Sequence, residues 1–385
     1  MALDGGFLYF IQQEIKAVSI GSRIDKISQP SKETLVFSLR RRGGTDKLLL
    51  SAGAASPRIH YTQHPPENPK SAPMFCMLLR KHLGSGRLVN VRQMGLDRIL
   101  HLKFETVNEL GDLVALTLAV EVMGRHSNII LIGPDGRILD AIKRVGYEMS
   151  GVRPVLPGMV YGLPPAQDKI NLLEAPANAL TQRLRQGRDI PLSKGILEAA
   201  QGLSPIVCRE LAFLAADGAD PLASQLRQEH VTRLEQAVAE LKAVLTENRP
   251  APTALIQPGG KPLDFSFISI RQYGGAAAAR SYASCSALLD EYYIEKDRVE
   301  RTRQYGGDLL KLLANTSDRI ARRLQTQRQE LAESADREQL RRFGDLLNAN
   351  LHTLRRGDSR AMVQDFYSET GGTVEIPLDI RLTPA

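Results

Sequence analysis

The stretch RILHLKFETVNELGDLVALTLAVEVMGRHSNIILI, residues 98–132, decides the fold. It holds three runs rich in Leu, Ile and Val: RILHLKFET (98–106), LVALTLAVEVM (113–123) and NIILI (128–132). Short polar connections separate them. Runs of this length bounded by turn chemistry read as strands, and short connections make neighbours antiparallel. RLVNVRQM (87–94) precedes the stretch, and RILDAIK (137–143) follows it after the turn GPDG.

Working outward, an earlier series has the same character: RIDKIS (23–28), ETLVFSLR (33–40) and KLLLSA (47–52), separated by QPSK and RRGGTD. Two helices accompany the strands. In residues 4–18, Phe7, Leu8, Ile11, Ile15 and Val18 recur at helical steps before Gly21 and Ser22. MFCMLLRKHL (74–83) follows a Pro-rich loop and is closed by Gly84. The expectation is an α+β fold, an antiparallel meander with helices packed on it.

Two polar clusters interrupt this pattern. Asp97 and Arg98 stand at the start of a strand after a Gly turn. Glu121, Arg125 and His126 flank the turn before the Ile-rich strand, with Ser127 and Asn128 beside them. Two readings stand. Either internal acid–Arg pairs pin the turns, or a rigid sheet presents one polar surface.

At 385 residues the chain has room for two or three domains. A net charge of +7 and a pI near 9.3 favour a polyanionic partner. Cys76, Cys208 and Cys285 are far apart, with no zinc or redox spacing. The seven histidines are scattered, and no HExxH, GxSxG or Walker pattern occurs. We therefore expect no catalytic residue, cofactor or metal. The N-terminus has no basic region before its apolar patch, and no run approaches the ~18 apolar residues of a membrane span. A cytoplasmic protein without a membrane partner is expected.

Three domains are expected: 1–170, 171–283 and 284–385. The first closes with the Pro- and Gly-rich RPVLPGMVYGLPP (153–165). In the helical second, EAAQGLSPIVCREL (198–211) reads as a helix-hairpin-helix unit, in which Gly202, Leu203 and Ser204 face a phosphate. The plainer reading is a capped helix with Ser204 at N-cap and Pro205 at N1. A helix over 231–245, strand-like pieces near 253–270 and the loop GGAAAAR follow. From Ser284 a long helix carries Leu309, Leu313, Thr316, Ile320, Leu324, Gln327 and Leu331 in near-heptad order, one strand of a coiled coil. Residues 301–360 hold 13 Arg or Lys against 8 Asp or Glu, so this arm is basic. MVQDFY (362–367) and TVEIPLDI (373–380) complete a small α/β segment.

The stretches DGGFL, GRIDKISQP, LLLSAGAASPRIH, FCMLLRKHL, QMGLDRIL, MGRHSNIIL and LPGMVYGLPP run in order and spacing as in the NFACT family, which this chain resembles. LLDEYYIEKDRVER and FGDLLNANLHTLRRGD resemble the family's coiled-coil region. The resemblance implies ribosome quality control. Such proteins bind large (50S) subunits that still carry stalled peptidyl-tRNA and contact their 23S rRNA. They recruit tRNA, tRNA-Ala in bacteria, for mRNA-independent C-terminal alanine tailing that marks the product for degradation. By motif, Asp97 and Arg98 are the determinants of tRNA recruitment. Glu121, Arg125 and His126 are then tRNA-facing, with Asp4 contributing. Arg319, Arg322 and Arg323 are the rRNA-facing part of the arm.

The resemblance also implies that the first domain is similar to the N-terminal fold of formamidopyrimidine-DNA glycosylases. Those enzymes use an N-terminal Pro and a Glu, whereas Ala2 and Leu3 stand here and no four-Cys cluster exists. The family's returning coiled-coil helix and its NFACT-R domain would lie beyond Ala385, so the protein is expected to continue. Two rival functions follow from inherited labels: a surface adhesin for fibronectin and a glycosylase-like DNA-binding protein.

Overall fold

The computed structural model describes residues 3–382 except 177, 261 and 370; within the long helix, the side chains of 295–301, 303–305 and 335 are outside the description. The chain forms two compact units, Met1–Val299 and Glu300–Ala385.

The first unit is built on one nine-stranded antiparallel sheet. Helix α1 (Gly5–Ser19) leads into β1 (Arg23–Ser31), β2 (Thr34–Arg41), β3 (Gly44–Ser51) and β4 (Arg58–Tyr61). Helix α2 (Met74–Leu83) then leads into β5 (Arg87–Gln93), β6 (Ile99–Val107), β7 (Leu113–Glu121), β8 (Asn128–Ile132) and β9 (Ile138–Ala141). The strand order is β4-β3-β2-β1-β5-β6-β7-β8-β9. Two helix-plus-meander halves are thus joined where β1 meets β5, at Arg23 opposite Arg87. The helices cross over: α1 packs on β5 and α2 on β1.

The sheet is creased at that joint. Phe37 of β2 and Phe104 of β6 stack with ring centroids 6.1 Å apart. Across a flat sheet, three strand spacings of about 4.8 Å would hold them roughly 14 Å apart. The inner faces therefore fold toward each other around one large core of Leu, Ile, Phe and Val. Burial alternates along the strands, as in Ile99–Val107, so register fixes which side chains face outward.

Both sheet edges are covered. Beyond β9, the chain near residues 145–161 packs Val145, Val155, Met159 and Tyr161 over the outer-face cluster of Ala119, Ile130, Ile132, Ile138 and Ala141. At β4, which the sequence reading had not marked as a strand, the Tyr61 and Gln63 N–H groups donate to Ser286 Oγ (3.1 Å) and Asp290 Oδ2 (2.8 Å). An unpaired edge would otherwise invite pairing with another chain.

Helices α3 (Ala179–Gln186), α4 (Leu192–Ala199), α5 (Pro205–Ala215) and α6 (Gln228–Thr246) follow. A small sheet, β11-β10-β12, is formed by β10 (Thr253–Ile256), β11 (Pro262–Ser266) and β12 (Ala278–Ser281). The Ala-rich loop therefore contributes an edge strand that propensity alone hides. Residues 1–170 and 171–283, set apart in the sequence, share one core, because Leu180, Ile196, Leu234 and Phe267 join the cluster of the large sheet. All three cysteines are buried and free. Burial pushes the Cys208 thiol up to about 12.

Helix α7 (Cys285–Ala335) begins in the first unit. Its first turn is capped by Glu14, whose carboxylate accepts from Cys285 N at 2.6 Å and Ser286 N at 3.1 Å. In the second unit, the leucines and isoleucine of the expected seam (Leu309, Leu313, Ile320, Leu324 and Leu331) are exposed. Helix α8 (Arg337–Ala349) packs on the hairpin of β13 (Arg360–Gln364) and β14 (Thr373–Pro377) through Leu346, Ala361, Val363 and Ile376. Among the described residues no helix is long and apolar enough to cross a membrane.

Candidate nucleic-acid interface

One end of the β6–β7–β8 ladder gathers the polar clusters. Ile99 opposes Glu121, and Glu121 opposes Asn128. One step further, Val122 N donates to Arg98 O at 2.8 Å. Asp97 and Arg98 therefore sit beside the 123–127 turn, at the end of paired strands with a packed core behind them.

Asp97 holds its own turn. Its N–H donates to Met94 O (3.0 Å), its carbonyl accepts from Gln93 Nε2 (2.8 Å), and its carboxylate accepts from Arg98 N (2.7 Å). The Arg98 guanidinium makes no hydrogen bond or ion pair among the described residues, although the side chain is half-buried. A positioned, unspent fork of five donors is suited to a phosphate or a base edge.

The 124–127 turn divides by direction. Gly124 takes φ +58°, and Gly124–His126 forms a single 3-10 turn. Arg125 and His126 are exposed, with Arg125 Nε donating to His126 Nε2 at 3.0 Å. Ser127 and Asn128 are buried and hold the turn from beneath. Ser127 Oγ accepts from Met123 N at 2.7 Å; Asn128 Oδ1 accepts from Ile129 N at 2.9 Å, and its Nδ2 donates to Lys143 O at 2.8 Å. The run before the Ile-rich strand is thus two residues for the surface and two for the turn.

Glu121 departs from its expected tRNA-facing place. It is 1% exposed and bidentate to Arg153, at 2.6 and 3.0 Å, and Tyr161 Oη donates to it at 2.9 Å. Burial pulls the Arg153 pKa down, but the hydrogen bond and charge of Glu121 leave it raised. Glu121 therefore anchors the 145–161 segment to the sheet. Of the two readings of the acid–Arg clusters, the internal pair holds for Glu121, with a partner 32 residues away.

Asp4 is also buried. One oxygen accepts from Phe7 N at 2.7 Å, capping α1, and the other accepts from Ser204 N at 2.9 Å, at the start of α5. One carboxylate thus serves two helix N-termini, where its negative charge is favoured. Burial pushes its pKa up to about 6; the bonds from Ser204 and Phe7, and the Arg98 charge, pull the other way.

The Gly202–Ser204 turn likewise points inward. Gly202 O accepts from Gly6 N at 3.0 Å, Leu203 is buried, and Ser204 N is held by Asp4. A Cβ on Gly202 would lie 2.2 Å from Leu96 O, and one on Gly5 would lie 1.7 Å from the same oxygen. The glycines are there so that three backbones can meet. The capped-helix reading holds in modified form: Pro205 opens α5, but Asp4 supplies the cap in place of the Ser204 side chain. Arg319, Arg322 and Arg323 are exposed on α7 in the second unit, with no side-chain partner among the described residues. For the glycosylase-like alternative, Ala2 is outside the described residues and Leu3 is fully buried.

Asp4→Ala is expected to cost about 2 kcal/mol near neutral pH, about 1 for each cap. The native carboxyl, at about 6 against an ordinary 3.8, binds its proton more tightly than in the unfolded chain. Asp4 therefore makes the native state more stable as pH falls through that window and less stable as pH rises through it. The cost of Asp4→Ala, measured by urea unfolding, is expected to be larger at pH 5 than at pH 7 by roughly 1 kcal/mol. Equal costs would mean that the carboxyl is not held in this buried state.

Fold and site together define a class: an α+β protein on a creased antiparallel sheet, with arginines carried at a strand end. Within that class the chain belongs to the NFACT family; the family described as NFACT N-terminal and middle domains matches residues 4–385. It is 37% identical over 388 residues to the Rqc2 homolog RqcH of Bacillus subtilis (strain 168), covering all of this chain and 65% of that relative. The ribosome quality control complex subunit NEMF of Homo sapiens is 33% identical over 132 residues, 34% of this chain and 11% of that protein. The solved N-terminal part of the fibronectin/fibrinogen-binding protein from Streptococcus suis is 30% identical, with a TM-score of 0.63 over 76% of this chain and all of that one.

Proposed function

We propose that this chain is the tRNA-gripping part of a ribosome quality-control factor. It binds obstructed 50S subunits carrying peptidyl-tRNA and recruits tRNA, with tRNA-Ala the expected species. It thereby supports mRNA-independent alanine tailing that targets stalled chains for degradation. It works in the cytoplasm by binding rather than by making bonds itself, and the exposed arginines Arg319, Arg322 and Arg323 face 23S rRNA. Family membership supports the class of function. The observation that carries the site is the unspent Arg98 guanidinium beside exposed Arg125 and His126 on a stiff strand end. Arg125 forks onto a phosphate, and His126 stacks on or donates to an unpaired base.

The test is sequencing of RNA that co-purifies with the protein. Enrichment of tRNA-Ala and large-subunit rRNA is expected, and RNA no different from the cellular pool would sink the reading. A second reading, fibronectin adhesion, is favoured by the name of the Streptococcus suis neighbour. Fractionation separates the two: a protein recovered from washed cell walls and missing from ribosomes would favour adhesion.

A further inference from the structure

The outer face of the sheet carries basic side chains at the end away from the Asp97–Arg98 turn. Arg23 opposes Arg40 on one side and Arg87 on the other, and Arg87 opposes Glu105. Directly opposed residues share a face, so three arginines form one row across β2, β1 and β5. The next row is Lys26–Ser38–Lys47. Arg23, Arg40, Arg87, Lys26 and Lys47 are all exposed, and none makes a side-chain hydrogen bond or ion pair among the described residues. Two carboxylates accompany them, Glu105 at the end of the first row and the exposed Asp25 at the bulge between Arg23 and Lys26.

Like charges directly opposed across strands work against folding. Here they cross the crease, where the neighbouring inward side chains Ile24, Leu39 and Leu88 are buried in the core. Fixed cations without internal partners gain most from a fixed polyanion, and arginine forks onto phosphates. The basic stretch over β2, β1 and β5 holds no aromatic or aliphatic side chain; Ala115 and the exposed Val107 and Leu113 follow only beyond Glu105, on β6 and β7. The stretch itself thus offers charge alone, with no side chain to insert into a bilayer, to centre a protein interface or to stack on bases.

We infer that this arginine row is a second, sequence-independent RNA-backbone surface, separate from the Asp97–Arg98 edge. Arg87 opens β5 and Gln93 closes it, and six steps of about 3.3 Å put the row roughly 20 Å from the turn. The inference rests on the pairing of these strands and does not need the tRNA reading.

The experiment uses the full-length protein and a short RNA duplex, with affinity measured across a salt series. The triple variant Arg23→Gln/Arg40→Gln/Arg87→Gln is expected to lower the slope of log K against log salt by about 2–3, at about 0.9 per phosphate contact. Its melting temperature is expected to hold or rise, because opposed like charges are gone. Lysine at the same three positions is expected to keep the slope, which depends on charge. Arg183→Gln/Arg188→Gln/Arg233→Gln, at three exposed arginines that already have carboxylate partners, is expected to keep it too. An unchanged slope in the row variant, or the same loss when the three partnered arginines are replaced, overturns the inference. So does equally tight, row-dependent binding to phosphatidylserine–phosphatidylcholine vesicles.

Discussion

On the proposed reading, Arg98→Ala combined with Asp97→Ala is expected to abolish alanine tailing by the full-length protein, with little of the stability cost coming from Arg98. The two residues differ in what they do for the fold. The Asp97 carboxylate accepts the Arg98 N–H at 2.7 Å and helps to shape the turn. Its removal should cost about 1 kcal/mol, the net worth of one such bond. The Arg98 guanidinium makes no hydrogen bond or ion pair among the described residues, and its charge only favours the buried Asp4 carboxylate from a distance, so its removal breaks no hydrogen bond. A positioned arginine contact is worth about 1–3 kcal/mol, or roughly 10- to 100-fold in tRNA affinity. Lysine at position 98 should restore charge but not the fork, and so should rescue poorly. The measurements are tRNA affinity, tailing on stalled 50S subunits, and thermal melting of the same preparations. Normal tailing in the double variant would remove the site assignment.

Arg153→Ala should produce the largest loss of stability, about 3 kcal/mol, by leaving the buried Glu121 carboxylate without its partner. Glu121 is fully enclosed, while the Arg153 side chain is 19% exposed, so the attraction is little screened on the carboxylate side. Tyr161 can still donate to Glu121 at 2.9 Å, which limits the damage but does not neutralise the charge. With Arg153 gone, the segment over the Ile130–Ala141 side of the sheet loses its anchor, and the 123–127 turn loses support on the same strand end. Glu121→Leu combined with Arg153→Leu should recover part of the loss, because it is the unpaired ion that is costly. Urea unfolding of the two single variants and the double variant measures the coupling. A cost below about 1 kcal/mol for Arg153→Ala would mean that the pair is not the anchor.

Much of the architecture was legible because its signals are local. The helix over Met74–Leu83 falls where apolar spacing and Gly84 place it, and the strands of 98–132 fall where the Leu-, Ile- and Val-rich runs stand between polar turns. Arg58–Tyr61 was missed because four residues are too few for a period. Ala278–Ser281 was missed because alanine carries no strand preference and pairing with β10 supplies what propensity does not. The joint between the two strand series left no trace in the sequence, since it rests on Arg23 meeting Arg87.

The candidate site divides along the same line. The sequence by itself determined that a polar turn precedes an Ile-rich strand and that Asp97–Arg98 starts another, because composition and turn chemistry are written in neighbouring residues. Only the tertiary structure decided which polar groups face out. Glu121 went inward because Arg153 meets it from 32 residues away, and Asp4 went inward because Ser204 meets it from 200 residues away. Burial of a charge is tolerated only where a partner arrives in register. That arrival depends on how the whole chain closes, and no local stretch encodes it.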